Sequence, residues 1–424
     1  MKKVYLDYAA ATPLDPAVFE KMKPYLTSIF GNPSSLHFTG REARAAIEKS
    51  RGEIAKILGA SLYDGSRIIF TSSGTEANNL ALLGIVNAYK KEGRPFCAAP
   101  AYAKASAGRQ GRHIIISKIE HKSVLESAKK LEKSGFEITY LNADKDGLVK
   151  IEELKKALRE DTILVSIIYA QNEIGTIQPI MEIAEIIREF RIKNLELRGN
   201  KNPQSCPLFH ADACQAAGAL DLNVKNLGID LMTLNSSKIY GPKGAGCLYV
   251  SAGVKLEPII VGGGQENHLR AGTENTAAIV GFTEALRLAE KLKSKEVLRL
   301  KNLRDYFIKN LRKKIPDLRL NGHPQKRLPN NINISVPGIK GEDMLFILDK
   351  SGICVSTGSA CSFNDLNPSH VLRALGLSSE LISGSLRITL GRKTTKKDVD
   401  YALLKLATIT KKLRKGQKII SKKS

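Results

Sequence analysis

Seven short apolar runs between residues 67 and 250 constrain this chain most. They are "RIIFTS" from Arg67, "RHIIIS" from Arg112, "FEITYL" from Phe136, "TILVSIIYA" from Thr162, "LFHAD" from Leu208, "DLMTLN" from Asp230 and "GCLYV" from Gly246. A strand with one wet face alternates polar and apolar residues. These runs are rich in Ile and Val without such alternation, so the sheet they build is covered on both faces. Helical patterns such as "PIMEIAEIIREFRIKN" lie between them. The reading is α/β with a mainly parallel sheet.

From about Thr276 the pattern changes. A long helical stretch is followed by "NNINISV", the helix "EDMLFILDKSG", "ICVSTGSACS" and the strand "LRITLG". This reads as a second, smaller α+β domain, and 424 residues suit two or three domains. Two segments interrupt the pattern. Residues 94–112 are rich in Ala, Gly and Pro, and residues 194–207 are a cluster of polar turn formers, so both read as surface loops or insertions.

Composition narrows the function classes. No apolar stretch reaches the roughly 18 residues a membrane span needs. The start, "MKKVYLDYAAATP", carries Asp7 and reads as a strand rather than a signal peptide, so a cytoplasmic protein is expected. Six cysteines without a CxxC pair argue against a zinc site or disulfide framework, and no metal is expected. The net charge of +24 thickens in the acid-free tail, Lys411 to Ser424. It invites a nucleic-acid-binding reading. No stacking motif or nucleic-acid module accompanies it, so direct nucleic-acid binding is not expected and the tail reads as frayed.

The strand ends carry the chemistry. "RIIFTS" runs into "SGTEANN", where Gly74 and Thr75 offer backbone N–H groups and a hydroxyl at a helix N-terminus, a seat for phosphate. The same stretch would also serve as an ordinary helix cap. His121 follows "RHIIIS", where a structural histidine is the plainer alternative. Asn172 and Glu173 follow "TILVSIIYA", and Asp212 and Gln215 follow "LFHAD". "DLMTLN" delivers Lys238, set in "LNSSKIYGPKGAG" between two apolar strands. An ammonium near a core is paired, neutralised or bonded covalently to something. Open α/β sheets place ligands at the C-terminal ends of their strands. A covalent lysine, a carboxylate for a pyridine nitrogen and a phosphate cup are the requirements of pyridoxal phosphate.

Cys361 sits among small residues in "CVSTGSACSFNDLNPSHVLRALG", in a stretch whose Gly, Ser, Asn and Pro suggest a mobile loop. A thiol there can attack and carry cargo, whereas Cys354, in an apolar strand, fits a buried structural thiol. Arg387, in "SLRITLGR", suits bidentate binding of a carboxylate, with a structural ion pair as the alternative.

These residues resemble the cysteine desulfurases, pyridoxal-phosphate enzymes of aminotransferase class V. The resemblance runs from "YLDYAAATPLDP" to "LRITLGR" through "FGNPSS", "TSSGTEANN", "EHKSVL", "QNEIG", "HADACQ", "KIYGPKG", "GGGQE", "RAGTEN", "STGSACS" and "VLRALG" in the family's order. The long loop after Cys361 resembles the iron–sulfur-cluster and nitrogen-fixation class. The resemblance implies the type I pyridoxal-phosphate fold. A large cofactor-binding domain is then expected over 14–265, and a small domain over 1–13 and 266–424 that carries the catalytic cysteine loop.

Residue by residue, the resemblance implies that Lys238 anchors pyridoxal 5'-phosphate covalently and that His121 stacks on its ring. Asp212 would meet the pyridine nitrogen and Gln215 the ring oxygen. Gly74, Thr75 and Ser237 would hold the phosphate, with Thr273 contributed by the other subunit of a homodimer. Asn172 and Arg387 would bind the carboxylate of L-cysteine. Cys361 would take the substrate sulfur as a persulfide, leaving L-alanine, and is a candidate transient cluster ligand. The acceptor would be an iron–sulfur scaffold protein or a tRNA-thiolation enzyme. Two positions depart from the family: Ser237 and Gln265 stand where histidines are usual. A selenocysteine lyase or another pyridoxal-phosphate β-lyase is the alternative on the same scaffold. A basic nucleic-acid-binding protein is the alternative of another class.

Overall fold

The computed structural model describes residues 2–92, 112–198, 207–358 and 368–420. All seven expected runs form strands: β2 (Arg67–Thr71), β3 (His113–Ser117), β4 (Glu137–Leu141), β5 (Thr162–Ile168), β6 (Leu208–Asp212), β7 (Leu231–Asn235) and β8 (Gly246–Val250), with β1 (Val4–Tyr5) preceding them. They make one seven-stranded sheet in the order β2-β8-β7-β6-β5-β3-β4. The β4–β3, β3–β5, β5–β6 and β6–β7 pairs are parallel, and β8 runs antiparallel to both β7 and β2. Six strands therefore point the same way.

The unbroken apolar runs follow from double-sided burial. Ile115, Val165 and Phe209 pack into a core on one face, while Ile114, Ile116 and Leu164 pack on the other. Each such side chain contributes about 1.5–3 kcal/mol on burial, which fixes the register against any one-residue slip.

A separate core gathers around an antiparallel sheet of β9 (Arg319–Asn321), β10 (Asn331–Ser335) and β12 (Ser385–Thr389), in the order β12-β10-β9. Strand β1 pairs in parallel with β11 (Ile353–Cys354), and Val4 and Leu6 join Ile332, Ile334, Leu386 and Phe307 in that core. The helix Thr276–Lys314, about 58 Å long at 1.5 Å per residue, spans both cores. Its Ala278, Phe282 and Leu286 pack against the large sheet, and its Phe307 and Leu311 against the small one.

Three expectations need correction. The helix Ile180–Arg198 runs five residues into the stretch read as a loop from 194. No Gly or Pro breaks that stretch before Gly199, so a helix already anchored by Ile183 and Ile187 continues. The basic tail is not frayed from Lys411: the helix Lys396–Ile420 carries it as far as Ile420, held by buried Leu403, Leu406 and Ile409 at helical spacing. Cys354 is exposed, not buried. Neighbouring strand residues face opposite ways, and in β11 Ile353 takes the inward position. Residues 93–111 and 199–206 of the two expected insertions, and Cys361, lie outside the described residues.

Candidate active site

Because six strands share one direction, their C-terminal ends open on one edge of the sheet. There β2 leads to Gly74 and Thr75, β3 to His121, β5 to Asn172, β6 to Asp212 and Gln215, and β7 to Ser237 and Lys238. The edge also receives the N-terminal stretch after β1. Lys238 Nζ donates to the carbonyls of Ala10 at 2.6 Å and Ala9 at 2.9 Å. Gln215 Nε2 donates to the same Ala9 carbonyl at 3.0 Å. Two backbone carbonyls receiving one part-buried amine answer the question its position in the sequence raises: the lysine is held at the sheet edge, inside the fold.

Asp212 ends β6 and is buried at 4% exposure. Asn78 Nδ2 donates to its Oδ2 at 2.8 Å and the Cys214 amide to its Oδ1 at 3.0 Å. Asn78 also donates to Ser123 Oγ at 2.8 Å, and Ser123 Oγ lies 2.8 Å from His121 Nδ1. One short relay thus fixes the carboxylate and the imidazole relative to each other. His121 is the N-cap of the helix Lys122–Lys133, its Nδ1 accepting from the Ser123 amide at 3.1 Å. With Nδ1 accepting, Nε2 is the ring nitrogen left to carry the N–H.

The helix Gly74–Glu92 points its N-terminus at the same edge. Its first amides have no intrahelical partner and suit an anion. Position 74 is tight: a Cβ there would lie 2.6 Å from Cys214 Sγ and force that side chain to shift. Ser237 Oγ donates to Asn235 Oδ1 at 3.2 Å, and its carbonyl accepts from Thr12. Thr273 is exposed.

Arg387, on β12, is the largest fully buried side chain among the described residues, at 1% exposure. Its Nη2 donates to Asp7 Oδ1 at 2.8 Å and its Nη1 to the Asn172 carbonyl at 3.4 Å. Its Nε is buried without a partner. An orphaned guanidinium N–H fits an incoming carboxylate.

Sequence reasoning missed Asp7, Asn78, Ser123 and the Ala9 and Ala10 carbonyls. A carboxylate emerging from the strand-like "VYL" was a signal for Asp7, of the same kind that marked Asp212. Glu120 was also missed. It is fully buried, its Oε1 accepting from the Ser117 hydroxyl at 2.5 Å and the Ile168 amide at 2.9 Å, with Oε2 unpartnered. Burial, with a smaller push from Asp212, raises its pKa to about 8. Burial also pushes the Cys214 thiol well up, which makes it a poor nucleophile.

The Aminotransferase class-V family model matches residues 4–107 and 96–402. A protein of Dictyoglomus turgidum named cysteine desulfurase IscS is 50% identical over 97% of this chain and 96% of its own. The chain belongs to the cysteine desulfurases. Another member, cysteine desulfurase IscS 1 of Archaeoglobus fulgidus, is 46% identical over 97% of each chain. A solved structure titled NifS-like protein superposes with a TM-score of 0.83 at 35% identity, covering 96% of this chain and 99% of that one. As a cysteine desulfurase the chain has the type I pyridoxal-phosphate fold and is a pyridoxal-phosphate-dependent enzyme. The residues present fit that cofactor. A lysine amine, a buried carboxylate, a helix N-terminus that begins on a tightly packed glycine, and an orphaned Arg387 Nε converge on one edge. Among the described residues no helix is long and apolar enough to cross a membrane, and no cluster of three or more His, Cys, Asp or Glu could hold a metal.

Proposed function

We infer that this cysteine desulfurase passes the sulfur of L-cysteine to Cys361, with Lys238, His121, Asp212, Gln215, Asn172 and Arg387 in the roles the family resemblance implies. The observation that supports this most is the convergence of Lys238, Asp212 and Arg387, from three strands of two sheets, on one edge. Arg387 Nε and Nη1 hold the substrate carboxylate beside Asn172. Lys238 Nζ anchors the cofactor and afterwards moves the proton of the substrate α-carbon. With pyridoxal phosphate bound, Asp212 would keep the pyridine nitrogen protonated, Gln215 would orient the ring oxygen, and His121 would cover the ring. Gly74, Thr75 and Ser237 carry the phosphate. Pyridoxal phosphate, when bound, withdraws electrons from the α-carbon and so weakens the bond from Cβ to sulfur.

The transfer balances. The Cys361 thiolate attacks the substrate sulfur, an S–S bond forms, and the C–S bond breaks with its electron pair left on carbon. That carbon takes a proton, so L-cysteine and a thiol become L-alanine and a persulfide. The sulfur then leaves to an acceptor, an iron–sulfur scaffold protein or a tRNA-thiolation enzyme. The working unit is a homodimer. Thr273 is exposed, as a residue that serves a neighbour's phosphate has to be, and the exposed Phe30, Leu36, Phe38 and Val261 are the kind of surface a partner copy covers. The small domain over 1–13 and 266–424 carries Cys361 and the large domain over 14–265 carries the cofactor. A cytoplasmic setting keeps such thiols reduced.

The test is Cys361→Ser. The variant should bind pyridoxal phosphate and L-cysteine and give neither alanine nor persulfide, since a serine hydroxyl is a far weaker nucleophile at neutral pH. Undiminished alanine release would move the role to another thiol, with exposed Cys354 the first to examine.

A further inference from the structure

Residues 264–273 make an unusual connection. Glu266, Asn267 and His268, none of them glycine, all have positive φ, at 48°, 55° and 65°. L-residues adopt this left-handed region at a cost, and such strain persists only where the surroundings over-determine it. Here the surroundings are two ion pairs. Glu266 is buried, and its carboxylate takes Arg51 bidentately, Nη1 to Oε2 at 2.8 Å and Nη2 to Oε1 at 3.0 Å. Arg270 Nε donates to Glu76 Oε1 at 2.8 Å.

Both pairs grip the strand and helix that form the phosphate seat. Strand β2 is an edge strand, so alternate N–H and C=O groups face away from the sheet. Glu266 Oε2 accepts from the Phe70 amide at 2.9 Å, and Arg51 Nη1 donates to the Ile68 carbonyl. The pair thus completes the free edge of β2 four residues before Gly74. Glu76, in the first turn of the Gly74–Glu92 helix, also accepts from the Ser72 amide at 2.8 Å. The far end of the connection is closed by the Gly272 amide donating to Gln265 Oε1 at 3.1 Å, one residue before Thr273.

We propose that residues 265–273 are a strained strap, clamped by Arg51–Glu266 and Arg270–Glu76 onto one subunit's phosphate seat, whose task is to present Thr273 to the cofactor phosphate of the other subunit. This rests on the reading of Thr273 as a cross-subunit phosphate ligand. Glu266 and Arg51 are positioning residues: they touch no substrate and act through Thr273. The strap also gives Gln265 a structural use at the position where the family has a histidine, since its amide oxygen closes the turn before Thr273. One consequence is a link between the two cofactor sites, because Glu76 ties each strap to the helix that seats its own subunit's phosphate.

The test is pyridoxal-phosphate affinity of the purified full-length protein, read by absorbance, with molecular mass followed in the same titration. Thr273→Ala and Glu266→Gln should each weaken cofactor binding at least tenfold. The double variant should bind no more weakly than Thr273→Ala alone, because Glu266 acts through Thr273. Adding Asn267→Gly and His268→Gly to Glu266→Gln should restore most of the affinity, since glycine takes positive φ freely. Where Glu266→Gln does not fold, Arg270→Met carries the same expectation. A Thr273→Ala variant that is weak beside a Glu266→Gln variant that binds as wild type overturns the strap and leaves the cross-subunit reading standing. Losses that multiply in the double variant overturn it too, since they show Glu266 acting on stability or on another ligand. A Thr273→Ala variant that binds as wild type removes the cross-subunit reading itself, and the strap's task with it.

Discussion

Arg387 Nη2 rests 2.8 Å from Asp7 Oδ1, joining the stretch just after β1 to β12 across 380 residues. The pair holds a guanidinium with only 2% of its side chain exposed against a carboxylate that is 16% exposed. Removing one partner of a buried pair leaves the other charge uncompensated.

Asp7→Asn should therefore destabilise the protein by about 2 kcal/mol, less than for a fully buried pair because Asp7 is partly wet. It should also raise the KM for cysteine more than it lowers kcat, because the guanidinium loses its fixed orientation. Urea unfolding and steady-state kinetics check both. An unchanged KM would show that Asn172 and the surrounding β12 backbone are enough to aim Arg387.

Lys238→Ala should abolish the yellow chromophore of the bound cofactor and its fixation by borohydride. Both carbonyls that receive Nζ belong to the N-terminal stretch, and no other amine stands at the end of β7. Absorbance and mass spectrometry after reduction decide it. A mutant that still fixed the cofactor would end the assignment of Lys238.

Ser237→Ala should weaken cofactor binding by about 1–3 kcal/mol, the cost of one lost donor among several. The first amides of the Gly74–Glu92 helix and Thr75 remain. Ser237→His, the usual family residue, should change affinity less. Cofactor titration of the apo-protein measures both, and complete loss of binding in Ser237→Ala would contradict a redundant phosphate cup.

Glu120 gives a pH prediction. Burial raises its folded pKa to about 8, above the ordinary carboxylate value, so the folded state favours the neutral acid. Its contribution is fully present below about pH 4.5 and is lost as pH rises through about 8. Over that window the wild type should lose about 5 kcal/mol relative to Glu120→Gln, which carries no ionisable group there. Urea midpoints for both proteins at about pH 5, 7 and 8.5 give the comparison. Parallel curves would mean that Glu120 finds a compensating partner when ionised.

The sequence by itself determined the large sheet. Unbroken Ile and Val runs have no stable arrangement except burial on both faces, so seven strands were legible with boundaries good to about two residues. It also determined which residue types stand at each strand's C-terminal end, because strand direction and strand end are local properties. Lys238, Asp212, His121 and Gly74 were found that way. Helix ends were less legible: the Ile180–Arg198 and Lys396–Ile420 helices outlast the polar stretches read as loop and tail, since an anchored helix propagates through any residue that does not break it. Only the tertiary structure decided what meets across long chain separations. Asp7 with Arg387, Asn78 between Asp212 and Ser123, and Arg51 with Glu266 are 380, 134, 45 and 215 residues apart. No periodicity carries such pairings, because they arise from how two cores and a shared 39-residue helix pack together. The same holds for Cys354 and Glu120. Whether a thiol faces water or a carboxyl stays neutral depends on what covers it, and the covering elements come from elsewhere in the chain.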